Sequence, residues 1–197
     1  MSARERLPSD RLYFNRWVQL WSEGQLKEQV HYQCVWYGGA LLADIGFEEP
    51  DPAESNACEA LVTALKVNRH AVVLMDSDCR EKQDSLKERV ERVCAELNGT
   101  GGVAWVTAGR EVENYIPITA LREGMGKPEL PDPGQYGDVF EHLPSYKKRK
   151  PELAHRIIST LTKELIAATY DLGEQLTKVC NQIRAWNGQR EQVVVTD

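Results

Sequence analysis

Two acidic strings and one basic run hold the residues of this chain best suited to chemistry. The first is Asp76-Ser77-Asp78, directly behind the apolar run Ala71-Val72-Val73-Leu74-Met75. Carboxylates spaced i, i+2 can share one side of an extended chain, and paired hard oxygen donors suit Mg2+ or Mn2+. The second is Arg110-Glu111-Val112-Glu113-Asn114-Tyr115, which again places two carboxylates, Glu111 and Glu113, beyond a short apolar run at 103–107. The third is Lys147-Lys148-Arg149-Lys150, four consecutive cations suited to phosphate. Each has a plainer reading as well. The first could be a helix cap or a solvated strand end, the second an acid neutralised by Arg110 in a loop, the third a solvated face.

The elements that must position these strings follow from periodicity. Ser9-Asp10 is a cap pair ahead of Leu12, Tyr13, Trp17, Leu20 and Trp21, which recur at helical spacing and are loosened at Gly24. Residues 30–37, rich in aromatic and branched side chains and closed by Gly38-Gly39, predict a strand. An acid- and proline-rich loop at 44–56 precedes a short helix carrying Cys58, Leu61, Val62 and Leu65. Residues 71–75 predict a strand buried on both faces. Leu86, Val90, Val93, Cys94 and Leu97 predict a helix closed by Asn98-Gly99, and 103–107 the next strand. The Pro- and Gly-rich stretch 124–151 reads as irregular. Two helices close the chain, one on Leu153, Ile157, Leu161 and Leu165, the other on Leu172, Leu176, Val179, Cys180 and Ile183.

Alternation of strand and helix predicts an α/β fold, a mostly parallel sheet flanked by helices with a helical carboxyl-terminal part. In such sheets ligands gather at the carboxyl ends of the strands, where both acidic strings fall. Lys and Arg number 24 against 30 Asp and Glu, a net charge of −6, which argues against a generic cationic nucleic-acid coat but leaves room for one local basic patch. No apolar run is long enough for a bilayer span, and Met1 to Arg6 lead into no apolar stretch, so the expected location is the cytoplasm. Five scattered cysteines form no CxxC pair and four histidines no ligand spacing, which argues against a zinc site or a disulfide framework. Gly124-Met125-Gly126-Lys127 lacks the spacing of a phosphate-binding P-loop, and no nucleophile motif stands out.

Taken in order, the segments resemble the Toprim nuclease domain of the overcoming-lysogenization-defect (OLD) family of ATP-dependent endonucleases. The resemblance runs from Pro8-Ser9-Asp10-Arg11-Leu12-Tyr13-Phe14-Asn15-Arg16-Trp17 through His31-Tyr32, Tyr37-Gly38-Gly39 and Asp76-Ser77-Asp78. It continues through Gly109-Arg110-Glu111-Val112-Glu113-Asn114-Tyr115 to Lys150, which resembles the family's late lysine. The resemblance implies a metal-dependent endonuclease, DNA ahead of RNA as substrate, used in phage defence or DNA processing. Asp10, Asp76, Asp78, Glu111 and Glu113 would hold Mg2+ or Mn2+. Glu111, Glu113 and Lys150 would be catalytic, Lys150 stabilising charge on the phosphate or leaving group. Lys147, Lys148, Arg149 and Lys150 would contact nucleic acid. Residues 1–156 would form the nuclease domain and 157–197 a helical extension packed on it. Implied partners are nucleic acid, an ATPase subunit in trans and a second copy of the chain, with no membrane.

Two departures set the alternatives. Where the family carries a glutamate, followed by glycine, ahead of Pro8-Ser9-Asp10, this chain has Arg6 and Leu7; Glu5 is one residue away, and a one-residue slip reverses side-chain direction in a strand. Seven residues precede Pro8, so the first central strand is expected to be short or missing, and the family's ATPase domain would have no counterpart in this chain. A catalytically weakened remnant that binds nucleic acid or a partner therefore stands beside the nuclease reading. A topoisomerase or primase accessory is a third reading, although nothing in the sequence marks Tyr13, Tyr115 or Tyr146 as a nucleophile.

Overall fold

The computed structural model describes residues 8–34 and 70–189. The loop at 44–56, the helix on Cys58 and Leu65, residues 35–37 of the expected strand, and Arg6 lie outside them. Helix α1 spans Ser9–Trp21, with Pro8 at its N-cap, so Ser9 is already helical and its hydroxyl is not spent on capping. The helix stops before Glu23 and Gly24, both at positive φ. Residues 28–34 form a turn with one bridge between Glu28 and Tyr32 rather than the expected strand, and Val30 is exposed. Strand β1 (Val72–Met75) is followed by helix α2 (Glu88–Thr100) and strand β2 (Val103–Val106), a β-α-β unit in which β1 and β2 pair in parallel, Val72 opposite Val103 and Met75 opposite Val106.

Among the described residues the sheet has these two strands. The protein is broadly α/β, with more helix than sheet among the described residues. In β1 only Met75 is buried and the three residues before it are half-buried, so the expectation of a strand buried on both faces is corrected. Helix α2 runs through Asn98-Gly99 to Thr100 because the left-handed turn that ends it falls at Gly101, φ +78, whose N–H reaches the Leu97 carbonyl.

After β2 comes a 3-10 turn, Val112–Tyr115, then helix α3 (Ile118–Met125), which the sequence reading did not anticipate. A second 3-10 turn (Pro144–Tyr146) interrupts the irregular stretch before helix α4 (Lys150–Ile157). The helix expected over Leu153 to Leu165 is two helices. Thr160 bonds the carbonyls of Ile157 and Ala120, and Thr162 caps α5 (Lys163–Ala167) by accepting from the Leu165 N–H. Helix α6 spans Leu172–Trp186.

An aromatic cluster fixes α1 to the end of the sheet. Trp17 stacks on Tyr13 at 5.8 Å, meets Trp105 at 6.1 Å and touches Tyr115 edge-on at 5.8 Å. All four are fully buried, each contributing about 1.5–3 kcal/mol by burial alone. The same core takes in Leu153 and Ile157 of α4, Ile166 of α5, and Leu172, Leu176 and Ile183 of α6. Met75, Val90, Val93 and Leu97 form a smaller cluster between α2 and the sheet. Arg16 of α1 donates to the Ile158 carbonyl at 2.9 Å, tying α1 to the end of α4.

Candidate active site

Four separated segments bring their charged residues together where β1 and β2 end. Asp76 is the first residue past β1, and its Oδ1 accepts the Val112 N–H at 2.8 Å. Beyond β2 the chain turns through Gly109, where an added Cβ would lie 2.6 Å from the Gln135 carbonyl and 2.7 Å from the Asn114 Cβ; only glycine fits that approach. Glu111 and Glu113 follow on the 3-10 turn. Lys150, at the start of α4, sets its Nζ 2.8 Å from Glu111 Oε2 and 3.2 Å from Glu113 Oε2. The fourth segment is the first turn of α1. There the Ser9 hydroxyl lies 3.0 Å from Asp10 Oδ1 and 3.3 Å from Glu113 Oε1.

Small polar residues hold the loops. Asn114 Oδ1 accepts the Glu111 N–H at 2.9 Å, and its amide donates to the carbonyls of Gly134 and Gly137. The Tyr115 hydroxyl accepts from the Ala108 N–H at 2.8 Å and the Trp105 indole at 3.3 Å, and donates to Asp171 at 2.6 Å. Burial and Asp171 push that hydroxyl far above its ordinary range, so it anchors α6 to the turn instead of serving as a nucleophile. Ser77 links the strand ends: its N–H reaches Thr107, and both hydroxyls donate to the Gly109 carbonyl at 2.7 Å.

Carboxyl groups outnumber cations here. Burial, then Glu113 and Asp10, push Asp76 up to about 8 against the pull of Lys150 and the Val112 N–H. Burial raises Glu113 to about 7; Lys150 opposes the rise, and Asp10 and Glu111 add to it. Burial also raises Asp10, in spite of Ser9 and Lys150. For Lys150, burial works against its charge, but Glu113, Glu111 and Asp76 outweigh it and hold the ammonium well above its usual range. Arg110, 3.8 Å from Glu111, gives partial relief at the edge, as the plainer reading of that string expected.

One buried and three half-buried carboxyl groups around a single lysine suit a hard divalent cation in type and in sign. Position is a separate matter. Among the described residues no three His, Cys, Asp or Glu side chains are drawn together in a metal-holding arrangement, and the Lys150 ammonium stands between the two glutamates.

The structure brings together Asp10, Asp76, Glu111, Glu113 and Lys150, and leaves out Asp78. β1 ends at Met75 and Asp78 has φ +58, so the alternation that would put Asp76 and Asp78 on one side no longer applies. Asp78 Oδ2 instead pairs with Lys87 at 2.8 Å and Arg89 at 3.1 Å. The basic run divides in the same way. Lys150 turns inward, while Lys147, Lys148 and Arg149 are exposed; Lys147 is 3.7 Å from Asp138, and Arg149 pairs with Glu152 at 3.1 Å.

Two participants were not legible as such. Ser9 reads as a cap in the sequence but links Asp10 to Glu113 in space. Tyr13 reads as a core residue, yet its fully buried hydroxyl finds no hydrogen-bond partner among the described residues, and Glu113 and Asp10 help burial to raise it. A tyrosine three residues after an acid on one helix is the available signal, since i and i+3 share a face. An open depression of about 430 Å3 lined by Lys127, Pro128, Leu130 and His142 shares none of these residues. No helix among the described residues is long and apolar enough to cross a membrane. No family model, curated protein or solved structure matches the chain.

Proposed function

We propose that this chain is a divalent-metal-dependent nuclease of the Toprim type that hydrolyses phosphodiester bonds, DNA in preference to RNA. The observation that supports this most is the meeting of Asp10, Asp76, Glu111 and Glu113 with one lysine at the strand ends, with burial and mutual repulsion raising Asp76 to about 8 and Glu113 to about 7. Phage defence or DNA processing in the cytoplasm, with an ATPase subunit in trans and a second copy of the chain as partners, belongs to the same reading.

Asp76, Glu113 and Asp10 would hold Mg2+ or Mn2+, with Glu111 completing the set. Such an ion would supply an activated water and charge stabilisation at the attacked phosphate. The protein's own groups do the rest. Glu113 and Asp76, whose carboxyls burial raises, would have to be ionised to hold the cation. Lys150 faces the phosphate and stabilises its developing negative charge. Lys147, Lys148 and Arg149, exposed just ahead of Lys150 in the chain, hold the flanking backbone. The Tyr13 hydroxyl, protonated at neutral pH, is a donor available to Glu113 or Asp10.

The neutralisation of Asp78 by Lys87 and Arg89 favours a second reading, a weakened Toprim remnant that binds nucleic acid or a partner without efficient turnover. Incubating purified protein with plasmid in Mn2+, in Mg2+ and in chelator separates the two. Metal-dependent nicking that disappears in Glu113→Gln supports the nuclease. Nucleic-acid binding without cleavage in any metal, at any protein concentration, supports the remnant.

A further inference from the structure

Lys150 holds two carboxylates of very different accessibility. Its Nζ bridges Glu111 and Glu113; the Glu113 side chain is 1% exposed, whereas that of Lys150 is 33% exposed. The acid is locked in place by its surroundings, and the ammonium has a way out. The Phe140 ring, 5.1 Å from Nζ, gives the cation a favourable surface beside the cluster. A charge pair with one fixed and one releasable member can open without a large cost only if another cation takes the vacated place.

We propose that Lys150 is an exchangeable counter-ion: it neutralises Glu111 and Glu113 in the metal-free protein, yields that place to a divalent cation, and presents its freed ammonium to a phosphate group. The inference rests on the metal-dependent reading above and adds regulation to it, coupling cation and phosphate through one side chain. The sign of the coupling follows from charge. A divalent ion and an ammonium repel one another within the same carboxylates, and a phosphate attracts the displaced ammonium. Binding of either ligand then favours the other by the same factor. Lysines 147 and 148 are exposed throughout and have no part in the exchange.

Wild-type protein is labelled with an acylating amine reagent, with and without saturating Mn2+, and read by mass spectrometry. The two glutamates now hold the Lys150 amine against the cluster, where it is only one-third exposed. Mn2+ should raise its labelling by about threefold or more, because release from the two carboxylates uncovers a side chain now one-third exposed, while Lys147 and Lys148 stay constant. Unchanged or reduced Lys150 labelling overturns the proposal, and this measurement needs no variant to fold.

Mn2+ titration then compares wild type with K150M and K150R. One-third exposure places the competition between that of a surface pair and that of a buried pair, so K150M should bind Mn2+ about tenfold more tightly and K150R as wild type does. Inorganic phosphate should tighten Mn2+ binding to wild type and leave K150M unaffected. Equal or weaker Mn2+ binding by K150M overturns the exchange while leaving a metal-dependent enzyme intact. Absence of Mn2+ binding in all three proteins overturns both together.

Discussion

Replacing Asp76 by Asn tests the electrostatics of the site without any substrate. Asn keeps an oxygen for the Val112 N–H and has nearly the same shape, so the variant removes little besides the ionisable group. The Asp76 carboxyl lies at about 8 in the folded protein against an ordinary 3.8. Between those values the native state keeps a proton that the unfolded chain gives up. The stability contributed by this group is therefore fully present below pH 3.8 and is lost as pH rises toward 8. The slope for one such group is up to ~1.4 kcal/mol per pH unit. Asn does not titrate, so its advantage over Asp should grow between pH 5 and pH 8. The ceiling is about 4 kcal/mol over those three units, and relaxation and water entry near a half-buried side chain reduce the expected gain to ~2 kcal/mol. Glu113, at about 7 against 4.5, acts with the same sign in both proteins, and the variant also loses the Asp76–Glu113 repulsion, which adds to its advantage.

Urea unfolding in chelator at several pH values reads this gain directly, because most other titrating groups cancel in the difference between the two proteins. Saturating Mn2+ at one hundred times its dissociation constant should add about 2.7 kcal/mol to wild type and much less to the variant. A difference that stays flat from pH 5 to 8, or an Asn variant less stable than wild type at pH 8, would show that the acids do not crowd one another as described.

Tyr115→Phe removes the hydroxyl shared by Ala108, Trp105 and Asp171, and should cost about 2–3 kcal/mol in thermal or urea unfolding without any covalent nucleic-acid adduct ever being detectable in wild type. Asp78→Ala should leave Mn2+ affinity within about threefold of wild type by calorimetry, because Lys87 and Arg89 already hold that carboxylate outside the cluster; a complete loss of binding would return Asp78 to the site. The double change Lys147→Ala/Lys148→Ala should lower the salt dependence of oligonucleotide binding by about two phosphate contacts and leave Mn2+ affinity unaltered; an unchanged slope would make this part of the run a plain solvated face.

Period and composition carried the strand–helix–strand unit around Asp76 and Glu111 to within a few residues, since apolar runs and a 3.6-residue repeat are local properties of the chain. The acids behind each strand were legible for the same reason: parallel pairing puts strand ends side by side, and Val72 opposite Val103 places Asp76 near Val112. Boundaries set by side-chain bonds were not. The Thr160 and Thr162 hydroxyls that split one expected helix into two, and the left-handed Gly101 that lets α2 run past Gly99, depend on partners that a pattern of apolar residues does not specify.

The site divides along the same line. Asp76 and Asp78 are alike in sequence, and the backbone past Met75 separates them, because a positive φ at Asp78 ends the alternation on which the i, i+2 argument stood. Lys150 is one of four adjacent cations, and it turns inward because α4 begins there and packs against α1, facing Glu111 and Glu113 about forty residues earlier in the chain. Tyr13 and Ser9 join the acids through the docking of α1 on Trp105 and Tyr115. Residue types and their order are written in the chain. Which charges meet, and whether they meet with enough opposite charge, depends on contacts between distant segments and on the burial that raises Asp76 and Glu113, and both arise only when the core has closed.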